Sequence, residues 1–145
     1  MTIDIDSRLS NEQVYSLLLD FDEAFDPALH TEVDLLKYSQ KLSSNAYFIL
    51  AKDEEQIIGF IAYYINIERN YCYIPLLAIS KHMRGIGLGQ ALIKALESQL
   101  NYIIPEIYLE VNKTNNIALR LYLKENFNIV EDRGIKLLLK KTSTI

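Results

Sequence analysis

Three glycines at every second position, Gly85, Gly87 and Gly89, follow Arg84 and separate a strand-like run, Tyr71 to Ser80, from an apolar helical stripe. Glycine takes positive φ without steric cost and lets a ligand approach the backbone closely. Successive N–H groups in such a loop converge at the start of the following helix, where the dipole favours an anion. The stretch therefore reads as a seat for a phosphate or pyrophosphate. The plainer alternative is a tight connection whose glycines only ease packing. Two common phosphate loops are excluded. A P-loop ends in Gly-Lys-Ser/Thr, whereas Gly89 is followed by Gln90 and Ala91. A dinucleotide fingerprint needs glycine three places after its second one, and that position is Gln90.

The elements around the loop follow from periodicity. Ser10 with Gln13 makes a capping box ahead of Val14, Leu17, Leu18 and Phe21 at helical spacing. Thr31 opens a second helical pattern through Val33, Leu35, Leu36 and Leu42, and the acidic, aromatic stretch Asp20 to Pro27 lies between the two. Ala46 to Ala51 and Gln56 to Asn66 read as strands joined by a polar turn, Lys52 to Glu55. Pro75 cannot donate a ladder hydrogen bond, so a bulge is expected in the third strand. Leu88, Ala91, Leu92, Ala95, Leu96 and Leu100 then form a clean helical stripe. Glu106 to Val111 reads as a strand, Asn115 to Glu125 as a helix, and Phe127 to Val130 with Lys136 to Lys140 as a last strand pair. Only the strand–helix–strand stretch from Tyr73 to Val111 calls for a parallel crossover. The fold class is α/β (α+β), a mixed sheet with helices on both faces, and 145 residues make one domain, 1–145.

Charge and cysteine usage narrow the function. Fifteen basic against nineteen acidic residues give a net charge of −4, which argues against nucleic acid as a partner. The lone Cys72 excludes an intramolecular disulfide and a multi-cysteine zinc site. His30 and His82 are isolated in sequence with no carboxylate cluster beside them, so no metal is expected. The N-terminus has neither the basic nor the apolar region of a signal peptide. The longest apolar run, Ile57 to Ile65, is about half a membrane span. A cytoplasmic protein with no membrane partner is the expectation.

The pattern Arg-x-x-Gly-x-Gly at Arg84 to Gly89 resembles the GCN5-related N-acetyltransferases, the GNAT superfamily. A second block carries the same resemblance: Leu109-Glu110-Val111-Asn112, then Asn115-x-x-Ala118-x-x-Leu121-Tyr122-x-Lys124-x-Asn126-Phe127. The family's usual Gly-Phe is Asn-Phe here, and Asn is the next-best residue for a left-handed helix cap. The likeness spans about Ala46 to Lys140.

The resemblance implies a mostly antiparallel sheet with a splayed parallel strand pair, and acetyl-CoA as cosubstrate lying where those strands part. The backbone of Leu77, Ala78 and Ile79 would pair with the pantetheine arm. The amides of Arg84, Gly85, Ile86, Gly87, Leu88 and Gly89 would hold the pyrophosphate. A backbone N–H near Ile79 would steady the oxyanion. Asn115 would lie beside the cofactor or serve only as a helix N-cap. Tyr122, seven residues on and on the same helix face, would be the acid assisting the departing CoA sulfur. An ammonium with a pKa of about 10.4 is neutral in roughly one molecule in a few thousand at pH 7, so its attack needs a base. Glu110 points opposite to Leu109 and Val111, and partial burial would raise its basicity; Glu68 is the second candidate.

The implied reaction is direct transfer of an acetyl group to a primary amine of a small molecule or peptide in a ternary complex. The alternative is a CoA-binding module of the same fold that senses without catalysis. The tyrosine-rich patch of Tyr63, Tyr64, Tyr71 and Tyr73 reads as an acceptor pocket, a homodimer surface or core packing.

Overall fold

A computed structural model describes residues 1–101 and 103–142. Seven strands form one sheet in the order β1-β2-β3-β4-β5-β7-β6. They are β1 (Thr2–Ser7), β2 (Tyr47–Asp53), β3 (Gln56–Asn66), β4 (Tyr71–Ile79), β5 (Glu106–Asn112), β6 (Asn128–Asp132) and β7 (Lys136–Thr142). Every neighbouring pair is antiparallel except β4 with β5. Four helices cover it: α1 (Asn11–Phe21), α2 (Leu35–Asn45), α3 (Leu88–Leu100) and α4 (Asn116–Lys124). The mixed sheet expected from the sequence is present, with one parallel pair joined through α3.

The helices start and stop where local chemistry dictates. Both hydrogen bonds of the Ser10–Gln13 capping box are made, and Val14, Leu17, Leu18 and Phe21 are all buried. α2 begins later than Thr31, because Asp34 is its N-cap and accepts from the N–H groups of Leu36 and Lys37. Thr31 ends a separate 3-10 turn, Leu29–Thr31, and spends its hydroxyl on the Ala28 carbonyl at 2.6 Å. Strand β1 has no counterpart among the expected elements. It is an edge strand whose alternating Ile3 and Ile5 are exposed rather than buried.

The sheet divides the core in two. Ile49, Ile61, Cys72, Ile74 and Leu109 face α3 and α4, with Leu92, Leu96 and Phe127. Phe48, Phe60, Leu76 and Ala78 face α1 and α2, with Leu18 and Leu42. Leu92 and Leu96 are fully buried, and each such side chain contributes about 2 kcal/mol.

Pro75 sits in the bulge its chemistry predicts. Ala62 pairs with Leu76 and Tyr64 with Tyr73, so two steps on β3 oppose three on β4. The extra residue reverses which face β4 presents: Cys72 and Ile74 lie on the α3 side, whereas Leu76 and Ala78 lie on the α1–α2 side. The parallel ladder with β5 runs from Tyr71–Glu106 to Ile74–Leu109 and ends at the bulge.

The end of α4 is equally well defined. Asn126 takes φ 71°, with Phe127 N–H donating to the Tyr122 carbonyl at 2.9 Å and Asn126 N–H to that of Leu123 at 3.2 Å. This is a Schellman cap, and its usual apolar contact is made by Phe127 against the Tyr122 ring, with centroids 5.6 Å apart. Replacing Asn126 with Ala puts a β-carbon into left-handed backbone and is expected to cost about 1 kcal/mol. Asn126→Gly should hold or raise stability. Urea denaturation midpoints of the two variants check both.

Candidate active site

Beyond Ile74 and Leu109 the two parallel strands part, leaving residues 75–79 of β4 and 110–112 of β5 on either side of a slot. Each keeps its outer partner: Gly59–Ile79, Phe60–Ala78 and Ile61–Leu77 pair on one side, and Glu110–Leu138 through Asn112–Lys136 on the other. The slot opens into a cleft of about 540 Å³ lined from both faces of the sheet. Leu77, Ala78 and Ile79 form its β4 wall, with their side chains packed in the core clusters.

The glycine loop closes one end. Gly85 and Gly87 have φ of 85° and 81°, and a β-carbon built on either meets nothing within 4 Å. Their backbone is thus open to the cleft. Gly87 is the N-cap of α3 and supplies no side-chain acceptor, so the first N–H groups of that helix have no capping side chain. Gly89 is glycine for a different reason, since its β-carbon would stand 2.7 Å from Leu121 Cδ2 and 3.2 Å from Ile79 Cδ1. The packing explanation therefore holds for Gly89 and the conformational one for Gly85 and Gly87. Arg84 donates to the Ala24 carbonyl at 2.9 Å, tying the loop to the segment after α1. Arg84, Gly85, Gly87, Leu88 and Gly89 line the cleft. Ile86 does not, and its side chain is 57% exposed.

Asn115 caps α4 through Oδ1, which accepts from Ala118 N–H at 3.2 Å. Its amide nitrogen is the half the cap leaves unused. Asn115 and Tyr122 both line the cleft. Tyr122 is buried, and burial pushes its hydroxyl well above the ordinary tyrosine range, so it stays protonated.

Glu110 lines the cleft from the β5 side with its side chain 26% exposed. It does not stand free in an apolar pocket. Oε1 accepts from the Tyr73 hydroxyl at 3.3 Å, and Oε2 from Arg133 Nη1 at 3.2 Å. Burial and the adjacent Glu110 charge push Tyr73 up to about 12, which keeps it a donor. Tyr38 of α2 also lines the cleft, and its hydroxyl is raised by burial and by the nearby Tyr64 and Tyr73. Asn112, two residues beyond Glu110, donates to the Asp26 carbonyl at 3.2 Å, and its Oδ1 is buried without a partner.

Sequence reasoning missed Tyr38, Arg133 and the pairing of Tyr73 with Glu110. Asn112 was visible as the residue after Leu109-Glu110-Val111. Arg133 had no local signal, because the turn that aims it is placed by the β6–β7 register. Other expectations change. Tyr63 is fully buried and stacked on Tyr47, so it leaves the tyrosine patch. Glu68 lies with Tyr64, Tyr71 and Tyr73 on a second cavity of about 500 Å³, away from the slot. His82 is exposed on a third, beside Lys81. His30 is not isolated, since Asp22 and Glu23 lie within 4.8 Å of it. The two Asp22 oxygens are spent on His30, one on its N–H at 2.7 Å and one on Nδ1 at 2.6 Å, which pins two 3-10 turns together. No helix among the described residues is long and apolar enough to cross a membrane.

Residues 11–127 match the model of the acetyltransferase (GNAT) family. The chain belongs to that family. Over 86 residues it is 31% identical to an uncharacterised N-acetyltransferase of Methanocaldococcus jannaschii, covering 55% of this chain and 51% of the relative, about half its length. The fold is that of a PaiA N-acetyltransferase from Thermoplasma acidophilum, solved in complex with coenzyme A, at TM-score 0.78 and 20% identity over 99% of this chain and 100% of the other. It is likewise that of a GNAT acetyltransferase from Elizabethkingia anophelis with acetyl-CoA bound, at TM-score 0.74 and 17% identity over 98% and 97%.

Cys72 lies in the core behind the slot, and burial pushes its thiol up to about 12. Burial thus keeps it a neutral thiol out of contact with solvent, which suits packing rather than attack. A chromogenic thiol reagent should leave the folded protein unmodified at pH 8 and titrate one thiol per chain in denaturant.

Proposed function

We propose that the protein is an N-acetyltransferase that uses acetyl-CoA and acetylates a primary amine of a small molecule or peptide by direct attack in a ternary complex. The observation that carries this is the slot itself. An unpaired strand edge runs from a glycine loop with open backbone to a point flanked by Glu110 and Tyr122.

The residues present fit acetyl-CoA. The free edge of Leu77, Ala78 and Ile79 offers main-chain donors and acceptors to an extended arm. The loop from Arg84 to Gly89, through its backbone, offers N–H groups and a helix N-terminus to a pyrophosphate; Ile86 takes part by backbone alone. Asn115 lies alongside with its amide nitrogen. The cosubstrate supplies an acetyl group already activated as a thioester.

The chain's own groups then divide the chemistry. Glu110 takes a proton from the attacking amine, directly or through one water. A backbone N–H near Ile79 receives the oxyanion charge as it develops. Tyr122, protonated because it is buried, hydrogen-bonds the departing sulfur as charge develops on it, and a second proton of the amine ends on that sulfur. The segment after α1 borders the opposite mouth, where Asp26 and Glu32 join Glu110 on the lining. Lys136 offsets Glu32 at 3.7 Å and Arg133 offsets Glu110 at 3.2 Å, so among these three carboxylates Asp26 is left to favour a cationic amine. We read residues 1–145 as one catalytic domain, and a single buried thiol suits the reducing cytoplasm.

Turnover by Tyr122→Phe should fall ten- to a hundredfold, roughly, with the KM for acetyl-CoA unchanged. Gly87→Val should instead weaken acetyl-CoA binding, because a β-branched residue is strained at φ 81° and the loop must leave its present shape. Free-thiol release across an amine panel and calorimetry with acetyl-CoA measure the two effects. Tight acetyl-CoA binding by the wild type without transfer to any amine would point to a sensing module instead.

A further inference from the structure

We propose that Tyr73 is the route by which the proton collected at Glu110 leaves the site. The inference rests on the acetyltransferase reading above and adds a positioning residue to it. An ammonium acceptor brings three N–H bonds to the reaction. One remains in the amide product, one ends on the CoA sulfur, and the third proton must reach solvent in every turnover.

The two oxygens of Glu110 differ in what they can do with that proton. Oε2 is engaged by Arg133 at 3.2 Å, and a guanidinium has donors only, so nothing can be passed to it. Oε1 is engaged by the Tyr73 hydroxyl at 3.3 Å, a group that both donates and accepts. The Tyr73–Glu110 hydrogen bond also crosses from one cavity to another. Glu110 lines the cleft, whereas Tyr73 lines the second cavity of about 500 Å³ with Tyr64, Tyr71 and Glu68. With acetyl-CoA and an amine seated, the cleft side of Glu110 would be covered, while the second cavity would stay open to solvent.

The transfer balances as an exchange. Once the Tyr73 hydroxyl turns from Oε1 toward the second cavity, the proton on Glu110 Oε1 moves to Tyr73 Oη and the proton already on Tyr73 passes to water there. Glu110 returns to carboxylate, and Tyr73 is a neutral phenol before and after. A hydroxyl pushed up to about 12 is suited to this, since it does not persist as a phenolate. The other groups around Tyr73 are Tyr64 from β3, Tyr38 from α2 and Arg133 from the β6–β7 turn. Among the described residues the buried Tyr64 hydroxyl has no hydrogen-bond partner, so it forms no link in this chain.

The test is steady-state acetyl transfer over many turnovers by wild type and Tyr73→Phe, with saturating acetyl-CoA and an amine the wild type accepts. Acetyl transfer in the variant should slow about tenfold, with the calorimetric Kd for acetyl-CoA unchanged. Added imidazole, a diffusible proton carrier, should restore the rate. A rate equal to wild type, or a slower rate indifferent to imidazole, would overturn the exit while wild-type transfer leaves the enzyme reading intact. No transfer by either protein would overturn both.

Discussion

One extra residue in β4 makes everything else at the site possible. A regular parallel pair would stay zipped, since each strand offers the other an unbroken row of donors and acceptors. The bulge at Pro75 ends that row. From there β4 follows β3, with Ile61–Leu77 through Gly59–Ile79 in register, and β5 follows β7 without interruption from Glu106–Thr142 to Asn112–Lys136. Each strand remains anchored along its outer edge, so the parting forfeits only hydrogen bonds facing the slot. Those groups still require partners. The fold thus holds an open strand edge in a rigid frame, and an extended ligand with amide groups is the natural complement.

Two local motifs finish the ends of the slot. At one, positive φ at Gly85 and Gly87 turns the chain into α3 with no side chain over the new helix terminus. Gly89 then lets α3 press against Leu121 of α4. At the other, the Schellman cap makes Tyr122 the residue whose carbonyl accepts from Phe127, with Phe127 packed on its ring. The cap that stops α4 therefore also fixes the tyrosine facing the slot. Backbone termination and side-chain placement are one interaction, which is why Asn126 serves the family's glycine position without displacing Tyr122.

What could be read in the sequence follows from how far the deciding interaction reaches along the chain. The capping box at Ser10, the Pro75 bulge, the left-handed Asn126 and the α3 stripe are settled within a few residues, and all are present as expected. The glycine loop was legible as a loop, though the separate reason for Gly89 needed α4 beside it. Glu110 was legible as a strand residue opposite Leu109 and Val111. Its partners were not, because Tyr73 comes from 37 residues away and Arg133 from 23. Strand β1 escaped notice because its short Ile3–Asp6 alternation is confirmed only by pairing with β2 more than forty residues on, and the His30–Asp22 clasp because two 3-10 turns had to bring the residues together.

The partners of Glu110 also differ in how firmly they hold it. Arg133 is 41% exposed and shares its guanidinium with Glu131, through Nε at 3.1 Å and Nη2 at 3.3 Å, so its contact with Glu110 is one of several in water. Such pairs are worth about 0–1 kcal/mol and loosen with salt. Tyr73 is half-buried, held in β4 between Cys72 and Ile74, both in the core. Its backbone is fixed in the sheet, which keeps the hydroxyl within reach of Oε1. The carboxylate thus has one side set by the sheet and one side held by an exposed guanidinium that it shares with Glu131.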